Sequence, residues 1–138
     1  MTGAPPAPDP DATIGGVALD DLPWIDYVDV HDRVHGAQVK LVNPRTMFVR
    51  FPPGFRAPEH WHPYDTTYFV TRGRIQFGDE GWFEQDSVRW VRAGHVYGPE
   101  LAGDDGVEFL LVSSGPIDLI YPDVQAPPTW APGDPAAF

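Results

Sequence analysis

The segment Gly54-Phe-Arg-Ala-Pro-Glu-His60-Trp-His62-Pro-Tyr-Asp-Thr66-Thr-Tyr68-Phe-Val-Thr-Arg-Gly73 constrains the chain more than any other. Alternate residues of a strand share a face, so His60 and His62 project together while Trp61 projects the other way. Two imidazoles side by side form a pincer for a transition metal, each offering one ring nitrogen at about 2.0–2.1 Å. Pro63 keeps His62 extended. Gly54, after Pro52-Pro53, marks the turn into the strand. Gly73 closes a second strand, Thr67 to Arg72, built from β-branched and aromatic residues.

The rest of the chain has the same rhythm. The 138 residues contain 17 Pro and 14 Gly, and apolar runs are short, a pattern of many short strands joined by tight turns. No amphipathic stretch supports a substantial helix. Val39–Val42, Thr46–Phe51, Arg74–Phe77, Trp82–Glu84, Ser87–Val91, a strand starting near His95–Tyr97, Val107–Val112 and Asp118–Tyr121 read as strands. Asn43-Pro44, Gly78–Gly81, Arg92–Gly94 and Gly103–Gly106 read as turns. About ten such strands predict a sandwich or barrel in one domain, and periodicity alone does not choose between them.

Composition removes several function classes. There is no Cys, so disulfides, thiolate metal sites and cysteine nucleophiles are excluded. A formal net charge of −11 argues against nucleic acid or an anionic membrane as partner. Lys40 is the single Lys and the single Schiff-base candidate. No apolar run reaches membrane-spanning length, and the N-terminus shows neither a basic start nor an apolar signal core, so a cytoplasmic location is expected.

The spacing of Gly54, His60, His62 and Gly73 resembles the first motif of the cupin superfamily, G-x5-H-x-H-x3-E-x6-G, with Thr66 standing where the family has a metal-binding Glu. Leu22-Pro-Trp-Ile and Val49-Arg-Phe-Pro-Pro-Gly-Phe-Arg-Ala-Pro-Glu-His-Trp-His-Pro resemble the branch that contains anti-sigma-factor cupin domains and 2,4'-dihydroxyacetophenone dioxygenases. The resemblance covers roughly residues 22–115. It implies an all-β, single-domain jelly-roll barrel (a double-stranded β-helix) over residues 17–124. Flexible Pro-rich tails are expected at 1–16 and 125–138.

The second cupin motif, G-x5-P-x-G-x2-H, aligns with Asp86-Ser-Val-Arg-Trp-Val-Arg92-Ala-Gly94-His-Val-Tyr97. Only Gly94 matches, and Tyr97 stands at the position of the metal-binding His. The resemblance implies one divalent transition metal, Fe(II) first, with Zn, Ni or Mn as alternatives. The expected ligands are His60, His62 and His95. His95 lies two residues before Tyr97, which on a strand puts both on one face; it is either the third ligand or a rim residue. Tyr97 is either a phenolate ligand, as the Tyr of catalase is to haem iron, or a hydrogen-bond donor and general acid. Tyr68 is either a proton donor beside the ion or a core aromatic. Thr66 is read as a partner of metal-bound water or a plain strand residue. Asp65, Glu100, His31 and His35 are expected to be solvated. Gln76 is expected beside Tyr68 on the pocket face, with Phe48, Trp90, Phe109 and Leu111 as walls.

Three functions fit these residues. The first is a non-haem iron dioxygenase cleaving an aromatic or diketone-like small molecule. The second is a non-redox metal-dependent cyclase, isomerase or lyase using Tyr68, Tyr97 or His95 for proton transfer. The third is a non-catalytic binding module. A homodimer is expected, with Trp24-Ile25 and Trp130 as apolar contacts.

Overall fold

A computed structural model describes Asp9 and residues 12–128. Most of the expected N-terminal tail, and Trp130 in the C-terminal one, lie outside the described residues. The fold is all-β, with one short 3-10 turn at Leu19–Asp21. The strands are β1 (Ile25–Asp26), β2 (Gln38–Asn43), β3 (Thr46–Phe51), β4 (Arg56–Ala57), β5 (Thr66–Phe77), β6 (Trp82–Phe83), β7 (Val88–Val91) and β8 (Glu100–Ser113). No helix of the described residues is long and apolar enough to cross a membrane.

The two longest strands, β5 and β8, form the spine. They pair antiparallel from Thr66↔Ser113 to Phe77↔Glu100, with register shifts on either side of Gly73. One side of β8 carries β3, and beyond it β2 and β1; its first residues carry β4. The open side of β5 carries β7 at one end and β6 at the other. Every pairing is antiparallel, and the sheet curls into the jelly-roll barrel expected above.

The bend in the spine is made by glycine. Gly73 has φ +71°, and a Cβ there would lie 2.1 Å from the Gly106 carbonyl oxygen. Gly106, at φ +77°, in turn faces the Phe51 carbonyl. No side chain fits such a crossing of main chains. Gly73 therefore does not end a strand, and Gly103–Gly106 is not a turn between strands; both are bends within longer ones.

The extra residue also reverses which side chains point inward. Thr66, Tyr68 and Val70 are buried before the bend, Ile75 and Phe77 after it. Arg74 and Gln76 point away from the interior, so Gln76 does not join Tyr68. The core is Val39, Val49, Phe51, Val70, Ile75, Phe77, Val107, Phe109 and Leu111 with their neighbours. Trp24 docks on the outer face of its own sheet, stacked on Phe48 at 5.3 Å and topped by Arg50. Phe48 is thus no pocket wall, and neither is Trp90, which is 72% exposed.

The glycine crossing sets a direct expectation. Gly81 also has positive φ (+95°) but nothing within 4 Å of a Cβ. Gly81→Ala should cost about 1–2 kcal/mol, the ordinary left-handed penalty. Gly73→Ala should cost at least about twice as much, because main chain must also move. Urea midpoints of the two variants compare them; equal losses would show that the crossing is not tight.

Candidate active site

His60 lies outside the long strands but pairs with Tyr97 as an isolated antiparallel bridge. His60 N–H donates to the Tyr97 carbonyl at 3.1 Å, and Tyr97 N–H to the His60 carbonyl at 3.0 Å. Residues paired this way project on one face. Trp61 makes a second bridge, to Ile120, on the other side. His62 follows two residues on and returns to the Tyr97 face. The expected strands around His95–Tyr97 and Asp118–Tyr121 reduce to these single bridges.

Both imidazoles are buried, with ring centroids 5.0 Å apart. His60 Nδ1 lies 2.8 Å from the Pro58 carbonyl oxygen, and His62 Nδ1 against the Asp118 carbonyl oxygen. A carbonyl only accepts, so each Nδ1 carries the hydrogen and each Nε2 presents a lone pair. The two Nε2 atoms meet at one place. The Tyr97 hydroxyl oxygen stands 3.1 Å from that of His60 and 2.9 Å from that of His62.

Tyr68, from β5, brings its hydroxyl into contact with that of Tyr97 and lies 3.4 Å from His62 Nε2. It donates to Glu100 Oε1 at 3.1 Å. Glu100 opens β8, is buried, and comes 3.5 Å from His60 Nε2. The carboxylate expected to be solvated is therefore part of the site. His95 is not. It is exposed in the turn after Arg92, and its N–H bonds the Arg92 carbonyl at 3.3 Å. Strand alternation does not extend through a turn, so counting two residues back from Tyr97 misplaces it.

Other expectations resolve in the same way. Thr66, at the motif's Glu position, is buried and donates to the Tyr64 carbonyl. Asp65 accepts from the Ala93 N–H at 2.9 Å, which holds the turn. His31 and His35 are exposed, as expected. Among the described residues no three His, Cys, Asp or Glu groups converge closely enough to hold an ion by themselves. The Tyr68 and Tyr97 phenol oxygens lie in the same cluster as the two imidazoles.

Arg89 is the residue that sequence reasoning missed. It sits on β7 opposite Tyr68 and is buried, with its guanidinium over the rings of Phe77 (4.0 Å), Tyr97 (4.3 Å) and Tyr68 (5.5 Å). Two of its nitrogens bond the Glu80 carboxylate at 3.0 and 2.6 Å, while the third, Nη1, has no hydrogen-bond partner among the described residues. The available signal was alternation in Val88-Arg-Trp-Val91, which puts Arg89 and Val91 on one face.

Burial dominates the electrostatics. It lowers His60 to about 4, helped by the Arg89 charge and opposed by the Pro58 hydrogen bond. It lowers His62 to about 3, with the His60 charge adding to it. Burial raises Glu100 to about 7 against the pull of Tyr68 and Arg89, and pushes the Tyr68 phenol well above its usual value. Both histidines are neutral at pH 7, as ligands must be.

The site forms the floor of a cavity of about 660 Å³. Val39, Met47, Val49, Phe109 and Leu111 are among its walls, and residues 27–30 and 116–119 reach its rim. Among the described residues its ionisable carboxyl side chains are Asp29, Glu100 and Asp118, and no Lys or Arg lines it. Burial opposes ionisation of Asp29, but hydrogen bonds from Tyr121 and the His31 and Arg33 N–H groups outweigh it and hold the carboxyl below its usual value.

No protein-family model matches the chain, and no curated protein matches it. Solved structures do. A candidate dioxygenase from Nostoc punctiforme is 28% identical over 65% of this chain with TM-score 0.57; the chain spans 33% of that protein. A candidate acetylacetone dioxygenase from Methylibium petroleiphilum is 18% identical, covering 86% of this chain and 88% of its own, with TM-score 0.66. An RmlC-like cupin protein from Ralstonia eutropha is 16% identical over 86% of this chain and 79% of its own, with TM-score 0.57. The chain has the cupin fold. The polyketide cyclase RemF from Streptomyces resistomycificus shares that cupin architecture at 12% identity, over 90% of this chain and 91% of its own, with TM-score 0.62.

The buried histidines make stability depend on pH. Their unfolded forms protonate near 6.5, their folded forms only near 4 and 3. The unfolded state then binds more protons, so stability falls as pH drops from 6.5 toward 4, by roughly 3 kcal/mol for His60 alone. Glu100 acts oppositely: its folded form keeps a proton up to about 7, so its contribution fades as pH rises from 4.5. In metal-free protein, denaturant titrations from pH 7 to 4 should show falling stability, flattened in a His60→Gln, His62→Gln variant and steepened by Glu100→Gln. A flat wild-type profile would contradict the burial of neutral imidazoles.

Proposed function

We propose that this cupin is a metal-dependent enzyme acting on a neutral small organic molecule, aromatic or diketone-like, and that it is a non-haem iron dioxygenase. The observation that carries the reading is the pair of imidazole lone pairs, aimed by main-chain carbonyls at one point on the floor of an apolar cavity. The similarity to the Nostoc punctiforme protein supports the oxygenase side.

The donor set fits a first-row divalent ion: two imidazoles, a carboxylate and two phenols, all buried. His60 and His62 would hold it, as Fe(II) first and as Zn, Ni or Mn otherwise. Such an ion supplies a Lewis acid and, as Fe(II), the electrons that dioxygen chemistry needs.

The chain's own residues set what reacts. Val39, Phe109 and Leu111 keep water from the floor and favour an apolar ligand. The acidic lining repels carboxylates and phosphates, so the substrate enters uncharged. Tyr68 and Glu100 form a hydrogen-bonded pair in which Glu100 changes protonation near neutral pH, a proper range for moving a proton.

That pair favours a second reading, a non-redox cyclase or isomerase in which the carbonyl is polarised and Glu100 with Tyr68 transfers the proton. Oxygen uptake separates the two. Fe(II)-loaded protein should consume oxygen with a β-diketone or a phenolic ketone, and turnover without oxygen uptake would select the second. His60→Ala and His62→Ala should each lower metal content and turnover by at least about 100-fold. Unchanged turnover in either would remove both readings. Protein purified without chelator that carries under about a tenth of an equivalent of metal would instead indicate a binding module.

A further inference from the structure

The hydrogens at the centre of the site do not balance. His60 Nε2, His62 Nε2 and the Glu100 carboxylate are three buried acceptors. The hydroxyls of Tyr68 and Tyr97 bring two hydrogens. Tyr97 Oη lies within bonding distance of both Nε2 atoms, 3.1 and 2.9 Å, yet its one hydrogen serves one of them. Tyr68 is engaged with Glu100. The count is that of the ionised carboxylate; a protonated Glu100 would donate to Tyr68 Oη and free the Tyr68 hydrogen toward His62 Nε2, 3.4 Å away. With Glu100 ionised, one lone pair is left over where an unpaired buried acceptor costs about 1–3 kcal/mol.

A cation removes the deficit. Ligands at about 2.1 Å from one ion and at right angles to each other stand about 3 Å apart, and both oxygen–nitrogen separations have that value. Resting on the metal reading above, we propose that Tyr97, as a phenolate, is a direct ligand of the ion held by His60 and His62. The hydroxyl proton leaves to solvent as the ion enters, and one cation replaces it between the three atoms. Arg89 supports the arrangement, because its guanidinium lies over the Tyr97 ring, 4.3 Å from its centroid, where positive charge favours an anionic phenolate. Tyr68 keeps its hydrogen for Glu100 and is not a ligand.

The test is spectroscopic. Full-length protein, stripped of metal, is loaded anaerobically with Fe(II) and then oxidised to Fe(III). The expected result is a visible phenolate-to-Fe(III) charge-transfer band with resonance-Raman phenolate modes, growing to about one equivalent of iron. Tyr97→Phe keeps the ring against Phe77 and Arg89; it should lose the band and bind iron at least about 10-fold more weakly. Tyr97→His should bind iron without the band, and Tyr68→Phe should keep the band. Iron bound with no band, or a band that survives Tyr97→Phe, overturns the proposal and leaves the metal reading standing. Failure of folded wild-type protein to take up iron overturns both.

Discussion

The antiparallel pairing of β5 with β8 is the constraint from which the rest follows. It runs the length of both strands and supplies Tyr68, Glu100, Phe109 and Leu111 to one interior. Its bend depends on two carbonyls passing over glycine, since a methyl group at Gly73 meets main chain. Without the bend, Ile75 and Phe77 would face outward and the floor beneath Tyr68 would be lost.

On that frame the site departs from the cupin motifs at two positions. At the position of the motif's Glu stands a Thr whose hydroxyl turns to its own backbone, while a carboxylate arrives from the start of β8. At the position of the motif's second-strand His stands Tyr97, whose backbone pairs with His60 and whose oxygen lies between both imidazoles. The buried Arg89 belongs to the same cluster, because phenols and a carboxylate gathered in a low-dielectric interior call for a nearby cation.

The cupin fold and the convergence of His60, His62, Tyr68 and Tyr97 were legible in the sequence. Their alternation is uninterrupted on short stretches, and the two glycines mark its ends. What was not legible lies past each break in that alternation. The bend at Gly73 reversed Gln76, the turn at Arg92–His95 sent His95 to solvent, and the link through Gly98-Pro99 hid the inward face of Glu100. Trp90 was misplaced and Arg89 missed for another reason. Hydrophobicity favours a buried Trp and an exposed Arg, but three aromatic faces and the Glu80 carboxylate make the opposite arrangement stable.

The orientation of both histidine rings is set by main-chain carbonyls, those of Pro58 and Asp118. Where a carboxylate side chain does this work, a single codon change can abolish it. Here any residue that keeps the local backbone path supplies the same acceptor. Ring geometry is therefore insulated from side-chain drift at positions 58 and 118, and the rim around Asp118 is free to diversify toward new ligands while the chemistry beneath it stays in register.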